Sequence, residues 1–274
     1  ILTPNAHGLP LPLSVAVITL NAAAQLPDCL ASVAFADEVV VVDSGSTDDT
    51  VSICREYTDK VFHRYWQGYA NQKNFAIDQS SGEWVLSLDA DEPVEPALAD
   101  EIRAIISSPQ SFDAYWIPRK TFLLGKWVRH GGWYPDYNLR LFRKGKGRFE
   151  ERAVHEALHV RGSLGRTSHA LEHYTYPDLT SYIATMNKYS SLAVAVMAEK
   201  GITPFKTSWL NILARPILTF ILRYIFRLGF LDGKHGLVLN LFHSYYVFAK
   251  YAKAWEHRQK MTLSGRSTDF KDGR

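Results

Sequence analysis

The first third of the chain alternates short apolar runs with amphipathic stretches. The apolar runs are Leu13 to Thr19, Glu38 to Asp43 and Glu83 to Asp89, and a further strand is predicted at Lys60 to Tyr65. The helical patterns are Gln25 to Ala34, a stretch that begins near Thr50, Tyr69 to Ser80, and Pro96 to Ser107. Strands without polar alternation that are separated by helices indicate a mostly parallel sheet with helices on both faces. The pattern therefore predicts an α/β, Rossmann-like fold.

Polar and acidic residues follow three of these strands, at Thr19–Asn21, Asp43–Asp49 and Asp89–Glu92. Ligands of parallel sheets bind outside the carboxyl ends of the strands, so we expect these clusters to converge. Asp89 and Asp91 can have separate roles. One can accept hydrogen bonds from a ribose, and the other can face Mg²⁺ or Mn²⁺. The alternative for this Asp-Ala-Asp sequence is a solvated turn.

The rest of the chain changes character twice. From Ala114 to Tyr176 it is rich in Trp, Tyr, His, Arg and Gly, with short strands predicted at Ala114 to Arg119 and Asn138 to Arg143 and a long loop between them. From Asp178 to about Gln259 the pattern is helical. We therefore predict a catalytic domain over residues 1–177 and a helical, aromatic and basic extension over residues 178–274.

Composition and charge narrow the functional class. The 274 residues are 46% hydrophobic and 22% charged, as in globular proteins, and the net charge of +3 is too small to favour nucleic-acid binding. Two cysteines, Cys29 and Cys54, cannot form a disulfide framework, and we expect them to be buried. Four histidines, at positions 155, 159, 169 and 173, lack the spacing of a zinc site.

The apolar C-terminal helices suggest a membrane surface. Ile1 to Pro12 lacks a basic segment, so no secretory signal is predicted. Trp209 to Leu231 is interrupted by arginines, so it is not predicted to span a membrane. The apolar, aromatic and basic stretch from Trp209 to Gln259 is instead predicted to lie in a membrane interface. The alternative is a core helix or a homodimer contact.

Several motifs together resemble glycosyltransferase family 2. They are Thr19-Leu-Asn21, Asp43-Ser-Gly-Ser-Thr-Asp-Asp-Thr50, Asn71-Gln-Lys-Asn74 and Asp89-Ala-Asp91. Other segments resemble bacterial transferases that add a glucose-type sugar to the inner-core heptose of lipopolysaccharide. These are Gly131-Gly-Trp-Tyr-Pro-Asp136, Arg140-Leu-Phe-Arg143, Val154-His-Glu156, His173 and Gly229-Phe-Leu-Asp-Gly233.

The resemblance implies a GT-A fold, a nucleotide-sugar donor, a divalent cation and a role for each matching residue. Thr19 and Asn21 would line the nucleotide pocket, and Asp43 would accept the imide N–H of uracil. Lys73 would meet the base or the phosphate, and Asp89 would contact the ribose. Arg140 and Arg143, three residues apart in a predicted strand, point to opposite faces, so at most one of them, taken as Arg140, would face the diphosphate. Asp91 would bind the metal, and His173 could reach the metal or the diphosphate.

Transfer with inversion needs a base for the acceptor hydroxyl, and a carboxylate can serve. The resemblance places the base near Val154-His-Glu156, which favours Glu156 and leaves His155 and Asp136 as alternatives. The implied acceptor is a lipid-linked saccharide at the inner face of the cytoplasmic membrane, to which a cytoplasmic enzyme would attach peripherally.

Two competing functions stay open. A transferase that uses polyprenyl phosphate as acceptor would need the same donor site. A sugar nucleotidyltransferase usually has a glycine-rich, basic loop after its first strand, and Leu20 to Gln25 contains neither glycine nor a cation.

Overall fold

The computed structural model describes residues 12–150, 156–176, 178–203 and 207–269. Its strands are β1 (Leu13–Thr19), β2 (Glu38–Asp43), β3 (Val61–His63), β4 (Trp84–Asp89), β5 (Ala114–Leu123), β6 (Lys126–Trp127), β7 (Asp136–Arg143), β8 (Gly147–Glu150), β9 (Ala157–Val160), β10 (Leu164–Arg166) and β11 (Leu171–Tyr176). Its helices are α1 (Leu26–Ser32), α2 (Thr50–Tyr57), α3 (Tyr69–Gln79), α4 (Pro96–Ser107), α5 (Leu179–Glu199), α6 (Trp209–Phe220) and α7 (Gly233–Asp269). A π-helix, Ile221–Phe226, continues α6, and a 3₁₀-helix, Gly229–Asp232, precedes α7.

The described residues form two compact units. The first unit falls within Ile1–Phe122 and Tyr134–Thr175, and the second falls within Leu123–Trp133 and Tyr176–Arg274. The predicted division between residues 177 and 178 lies close to the last of these limits. The segment Leu123–Trp133, which the sequence placed with the catalytic domain, lies in the second unit.

The first unit contains a mixed sheet whose strand order is β10-β5-β7-β4-β1-β2-β3, with β11 also beside β5. Strands β1, β2, β3 and β4 are parallel, whereas β7 is antiparallel to both β4 and β5. Thr19 of β1 pairs with Asp43 of β2, and the adjacent Ile18 pairs with Asp89 of β4. The polar strand ends therefore lie along one edge of the sheet, as predicted.

Helices cover both faces of this sheet, and the middle of β1, from Val15 to Ile18, is apolar toward both layers. Val15 and Val17 pack in the cluster that includes α1 and α4, while Ala16 and Ile18 pack in the cluster that includes α3. Alternate residues of a strand point to opposite faces, so an uninterrupted apolar strand fits between two helical layers. This arrangement confirms the predicted α/β fold.

The middle of the chain contains more strands than the sequence predicted. Strand β5 extends to Leu123, and β8, β9, β10 and β11 occupy the stretch in which no strand was expected. These strands are three to six residues long, and β8 alternates buried and exposed residues. Such short segments lack the continuous apolar signal that identified β1, β2 and β4.

The helical region ends later than predicted and is interrupted. It reaches Asp269 rather than about Gln259, and it is broken between α5 and α6 and again before α7. Gly201 and Gly233 lie at these breaks with φ of +77° and +62°, a conformation that glycine adopts without strain. Asp178 caps α5 by accepting a hydrogen bond from the Ser181 amide at 2.7 Å.

The second unit has its own core. Its buried apolar residues are Leu123, Val128, Tyr182, Met186 and Leu239. Asp232 accepts hydrogen bonds from the backbone N–H groups of Arg129 and His130 at 3.1 and 2.8 Å. Since the carboxylate satisfies two amides of Leu123–Trp133, it fixes that segment within the second unit.

One helical stretch of the described residues, Trp209–Phe226, is long and apolar enough to cross a membrane by length and composition. Only 6% of these 18 residues are buried. The sequence analysis had excluded a simple span because arginines interrupt the run, so this finding corrects that expectation on length and composition.

Candidate active site

Asp43, at the end of β2, holds the loop that follows it. Its Oδ2 accepts hydrogen bonds from the backbone N–H groups of Gly45 and Ser46, each at 2.9 Å, and its Oδ1 accepts one from the Ser46 hydroxyl. Gly45 has a φ of +102°, which brings its amide toward the carboxylate without strain. Asp43 is buried, and its Oδ1 has one hydrogen-bond partner, the Ser46 hydroxyl, among the described residues.

Asn21, after β1, braces the same loop. Its side-chain oxygen accepts a hydrogen bond from the backbone N–H of Thr47 at 2.8 Å, and its backbone N–H donates one to the Ser46 hydroxyl at 2.8 Å. Thr19, the last residue of β1, has a buried hydroxyl that forms no hydrogen bond within the described residues. Buried polar groups normally have partners, so this hydroxyl is available to a ligand.

Lys73 connects α3 to the end of β4. Its side chain is only 2% exposed, and its Nζ lies 2.9 Å from Asp89 Oδ1 and 2.7 Å from Glu156 Oε1. The ammonium also lies 5.3 Å from the centre of the Phe149 ring. Three residues predicted as site residues are therefore in direct contact, although they come from separate parts of the sequence.

Arg140 joins the second oxygen of Asp89 to Glu92. Its NH2 group donates to Asp89 Oδ2 at 2.7 Å and to Glu92 Oε1 at 2.6 Å. Burial opposes ionisation of Asp89, but Arg140 and Lys73 hold its pKa well below the usual range. The Arg140 Nε is buried without a partner among the described residues. Arg143, by contrast, pairs with Glu83, so only one of the two arginines of β7 faces the site.

Asp136 lies in an ion pair rather than free in a turn. Arg119 donates to Asp136 Oδ2 from Nε at 3.0 Å and from NH2 at 2.7 Å, and Asn138 donates to the same oxygen at 3.2 Å. The NH1 of Arg119 reaches Glu92 at 3.0 Å and lies 3.4 Å from His173 Nε2. The β5–β7 register pairs Arg119 with Asp136, which explains the contact.

Asp91 and His173 have the chemistry of metal ligands. Asp91 Oδ2 lies 3.5 Å from His173 Nε2. Burial, reinforced by the charges of Glu92 and Asp89, raises the pKa of Asp91 to about 7. Burial and the cation of Arg119 lower the pKa of His173 to about 4, so its imidazole is neutral at neutral pH. A neutral imidazole beside a carboxylate is a donor set that fits a divalent metal.

The sequence analysis missed Arg119 and the role of Glu92. Glu92 is fully buried and accepts hydrogen bonds from the side chains of Arg140 and Arg119 and from the backbone N–H of Asp89. It therefore holds both arginines in place. Its position in the run Asp89–Glu92 was a signal that could have been used. Arg119 had no local signal, because its partners lie on other strands.

Other predicted residues lie elsewhere. His155 is outside the described residues. Among the remaining histidines that were considered for zinc, His159 contacts Glu150 and His169 contacts Glu101. Cys29 and Cys54 are both buried, as expected.

Comparison with known proteins places these observations in a family. Residues 14–165, more than half of the chain, match the profile of Glycosyl transferase family 2. The lipopolysaccharide core biosynthesis glycosyltransferase LpsC of Rhizobium meliloti (strain 1021) is 32% identical over 90% of this chain and 93% of its own length. An uncharacterized glycosyltransferase of Rickettsia bellii (strain RML369-C) is 29% identical over 94% of this chain and 91% of its own length.

A solved structure shares the fold. The mannosyltransferase PcManGT from Pyrobaculum calidifontis, solved in complex with GDP-Man and Mn²⁺, superposes with a TM-score of 0.51 at 18% identity, covering 92% of this chain and 89% of that one. The family profile covers every candidate site residue described above except His173. The chain belongs to glycosyltransferase family 2 and is a glycosyltransferase.

Proposed function

We propose that the protein is an inverting, divalent-metal-dependent hexosyltransferase. It moves a hexose of the glucose type from a UDP sugar to a lipid-linked saccharide, such as a heptose of the lipopolysaccharide core. The observation that carries this proposal is the meeting of Asp89, Asp91, Lys73, Arg140 and Glu156 at the carboxyl end of β4. The similarity to LpsC supports the class of acceptor.

The environment of Asp43 supports uracil as the base. An ionised carboxylate has about four acceptor positions, and the loop after β2 uses three of them. The remaining position on Oδ1 can accept the imide N–H of uracil, a donor that cytosine lacks. The unpartnered Thr19 hydroxyl lies on the adjacent strand and is the second group available to the nucleotide.

Asp91 and His173 would hold the cation, Mg²⁺ or Mn²⁺. Donors in adjacent positions around such an ion lie about 3 Å apart, close to the 3.5 Å between the two side chains. The described residues contain no group of three metal-ligating side chains. Diphosphate oxygens of the donor would therefore supply other ligands, as is usual for Mg²⁺. When bound, the cation neutralises the charge of the leaving diphosphate.

Lys73, Arg140 and Glu92 act by positioning Asp89. Two cations hold the carboxylate from opposite oxygens, at 2.9 and 2.7 Å. Glu92 neutralises Arg140 from the other side. Asp89 is thereby kept ionised and oriented, which suits a group that accepts hydrogen bonds from ribose hydroxyls.

Glu156 is the proposed base, and Asp136 is the second candidate. The base removes the proton of the acceptor hydroxyl while the new C–O bond forms and the bond to the diphosphate breaks. Lys73 ties Glu156 to Asp89, at the end of the site where the donor ribose would lie. Each candidate has one oxygen engaged by a cation, Asp136 Oδ2 by Arg119 and Glu156 Oε1 by Lys73, so the comparison of Glu156→Gln with Asp136→Asn decides between them.

We propose a cytoplasmic location, with peripheral attachment to the inner face of the membrane that carries the acceptor. Polyprenyl phosphate as acceptor and sugar nucleotide synthesis are the competing functions. A hydrolysis screen of UDP, GDP and CDP sugars in the presence of Mn²⁺, repeated with lipopolysaccharide core and with polyprenyl phosphate, distinguishes them. UDP-hexose turnover that core saccharide stimulates supports the proposal. Stimulation by polyprenyl phosphate alone, or formation of a sugar nucleotide from sugar phosphate and UTP, contradicts it.

A further inference from the structure

Residues 200–231 carry a charge imbalance that the rest of the chain does not share. They contain five Lys and Arg residues and no Asp or Glu, a formal charge of +5 against +3 for the whole chain. The remainder of the protein is therefore slightly negative. Concentration of cations in one segment is typical of contact with an anionic surface.

The outer side of α6 and of the π-helix is apolar. Trp209, Ile217 and Phe226 are 72%, 59% and 74% exposed. Five further apolar residues of this stretch are about half exposed, namely Leu210, Leu213, Leu218, Leu222 and Ile225. Positions 209, 213 and 217 recur every four residues and so share one face of the helix. A continuous apolar surface of this kind marks an interaction site.

The other side of α6 is packed within the second unit. Asn211 is buried, and the guanidinium of Arg215 lies 5.2 Å from the centre of the Tyr251 ring on α7. Because one side of the helix contacts protein and the other is apolar and exposed, the helix suits a position in the plane of a membrane. A spanning position would place the packed polar side in the hydrocarbon as well.

Two arginines beside this face lack counter-charges. Arg223 lies 5.2 Å over the Trp133 ring, and the backbone oxygen of Arg227 accepts from the Gly131 amide at 2.8 Å. Neither arginine forms an ion pair with a carboxylate in the part of the chain that is described. Burial and the neighbouring Arg227 lower the pKa of Arg223.

Two buried donors in the same cluster are also unsatisfied. The Nε of Arg223 and the Nε1 of Trp133 have no hydrogen-bond partner among the described residues. A buried donor atom without a partner is costly, and two of them beside a pair of arginines indicate an anionic acceptor supplied from outside. Guanidinium groups bind phosphate oxygens in a bidentate manner.

We propose that α6 and the π-helix lie in the plane of an anionic phospholipid surface, with the apolar face among the acyl chains and Arg223 and Arg227 on lipid phosphates. This inference rests on the proposed function only in that a lipid-linked acceptor brings the enzyme to a membrane. The donor site belongs to other residues.

Vesicle sedimentation of the full chain tests the proposal. We expect binding to vesicles that contain phosphatidylglycerol, weaker binding to pure phosphatidylcholine, and release by salt and by alkaline carbonate. Each cation at such a surface strengthens partitioning about five-fold, so Arg223→Gln with Arg227→Gln should weaken binding about 25-fold. Arg103→Gln with Lys260→Gln, which removes two cations from exposed ion pairs, should bind as the parent does.

A second pair of variants tests the apolar face. Ile217→Ser with Phe226→Ser should abolish binding to both kinds of vesicle, whereas Phe112→Ser with Leu164→Ser, exposed apolar residues of the first unit, should not. Thermal unfolding identifies misfolded variants. If the double glutamine variant does not fold, Arg223→Lys with Arg227→Lys replaces it, since this variant keeps the charge but loses the bidentate contacts of a guanidinium. Equal binding to both vesicles, or arginine variants that bind like the parent, would overturn the proposal. Resistance to carbonate would overturn it in favour of a spanning helix.

The donor reaction is measured separately. A parent protein that binds UDP but not vesicles would contradict only the proposed contact with the membrane. Loss of UDP binding with vesicle binding intact concerns only the proposed function.

Discussion

The ammonium group of Lys73 lies 2.7 Å from Glu156 Oε1, although 83 residues separate the two in sequence. The same ammonium lies 2.9 Å from Asp89, so one buried cation joins the proposed base to the proposed ribose ligand. In the proposed mechanism this side chain links the group that binds the donor to the group that activates the acceptor.

Lys73→Met should destabilise the protein. Removing one partner of a buried ion pair leaves the other charge uncompensated and costs about 3–5 kcal/mol. We expect the lower end of this range because Arg140 still neutralises Asp89. Chemical denaturation measures the change, with Lys73→Arg as the charge-preserving control. A methionine variant as stable as the parent would show that the buried contacts contribute little.

Glu156→Gln should reduce turnover while leaving the affinity for UDP nearly unchanged. Loss of a general base costs on the order of 10²–10⁴-fold in rate. Asp136→Asn serves as the comparison, since it alters the carboxylate that pairs with Arg119. The assignment fails if Glu156→Gln turns over normally while Asp136→Asn is inactive and still binds UDP. In that case the base is Asp136.

Asp91→Asn should abolish turnover, whether or not divalent metal is present. The substitution keeps the shape of the side chain but removes the charge that faces His173. We expect the parent to lose activity in EDTA and to recover it with Mn²⁺ or Mg²⁺, and the variant to be inactive throughout. Activity that survives both EDTA and the substitution would show that turnover does not need a divalent metal.

Glu38→Gln should lower stability at neutral pH and have less effect in acid. Glu38 is buried at the start of β2 and accepts hydrogen bonds from Lys60, Ser14 and the Ser81 amide. Burial opposes its ionisation, but these bonds outweigh it and lower the pKa below 4.5. A carboxylate with a lowered pKa stabilises the fold above the unfolded-state pKa and loses that contribution as the pH falls through the folded-state value.

Unfolding free energies measured between acid and neutral pH check this. Hydrogen bonds to a charged group contribute roughly 1.5–3 kcal/mol, and the deficit of Glu38→Gln should approach that range near pH 7. Glu83→Gln, which alters an exposed pair with Arg143, should cost less than about 1 kcal/mol. A pH-independent deficit for Glu38→Gln would contradict the assignment of its charge.

Elements whose apolar residues are continuous were predicted closely. The observed bounds of β1, β2 and α4 coincide with the predicted ones, because burial on both sides of the sheet leaves an uninterrupted apolar signal. The strands from β8 to β11 are short and partly polar. Strands β8 and β9 pair with each other, and β10 and β11 pair with the distant β5. Nothing local distinguishes them from loops.

The site divides in the same way. Asp89 and Asp91 were predicted because they directly follow an apolar strand. Arg119 was missed because its role depends on the antiparallel register that sets it opposite Asp136. The pairing of Lys73 with Glu156 likewise depends on tertiary structure, so the sequence named both residues without connecting them.

Calorimetric titration of the full-length protein with UDP in the presence of Mn²⁺ tests the central claim most directly. The account predicts binding of UDP that is tighter than that of GDP or CDP, that requires the metal, and that weakens greatly in Asp43→Ala and in Asp91→Asn. Equal or tighter binding of GDP or CDP, or UDP binding that neither substitution changes, would contradict it.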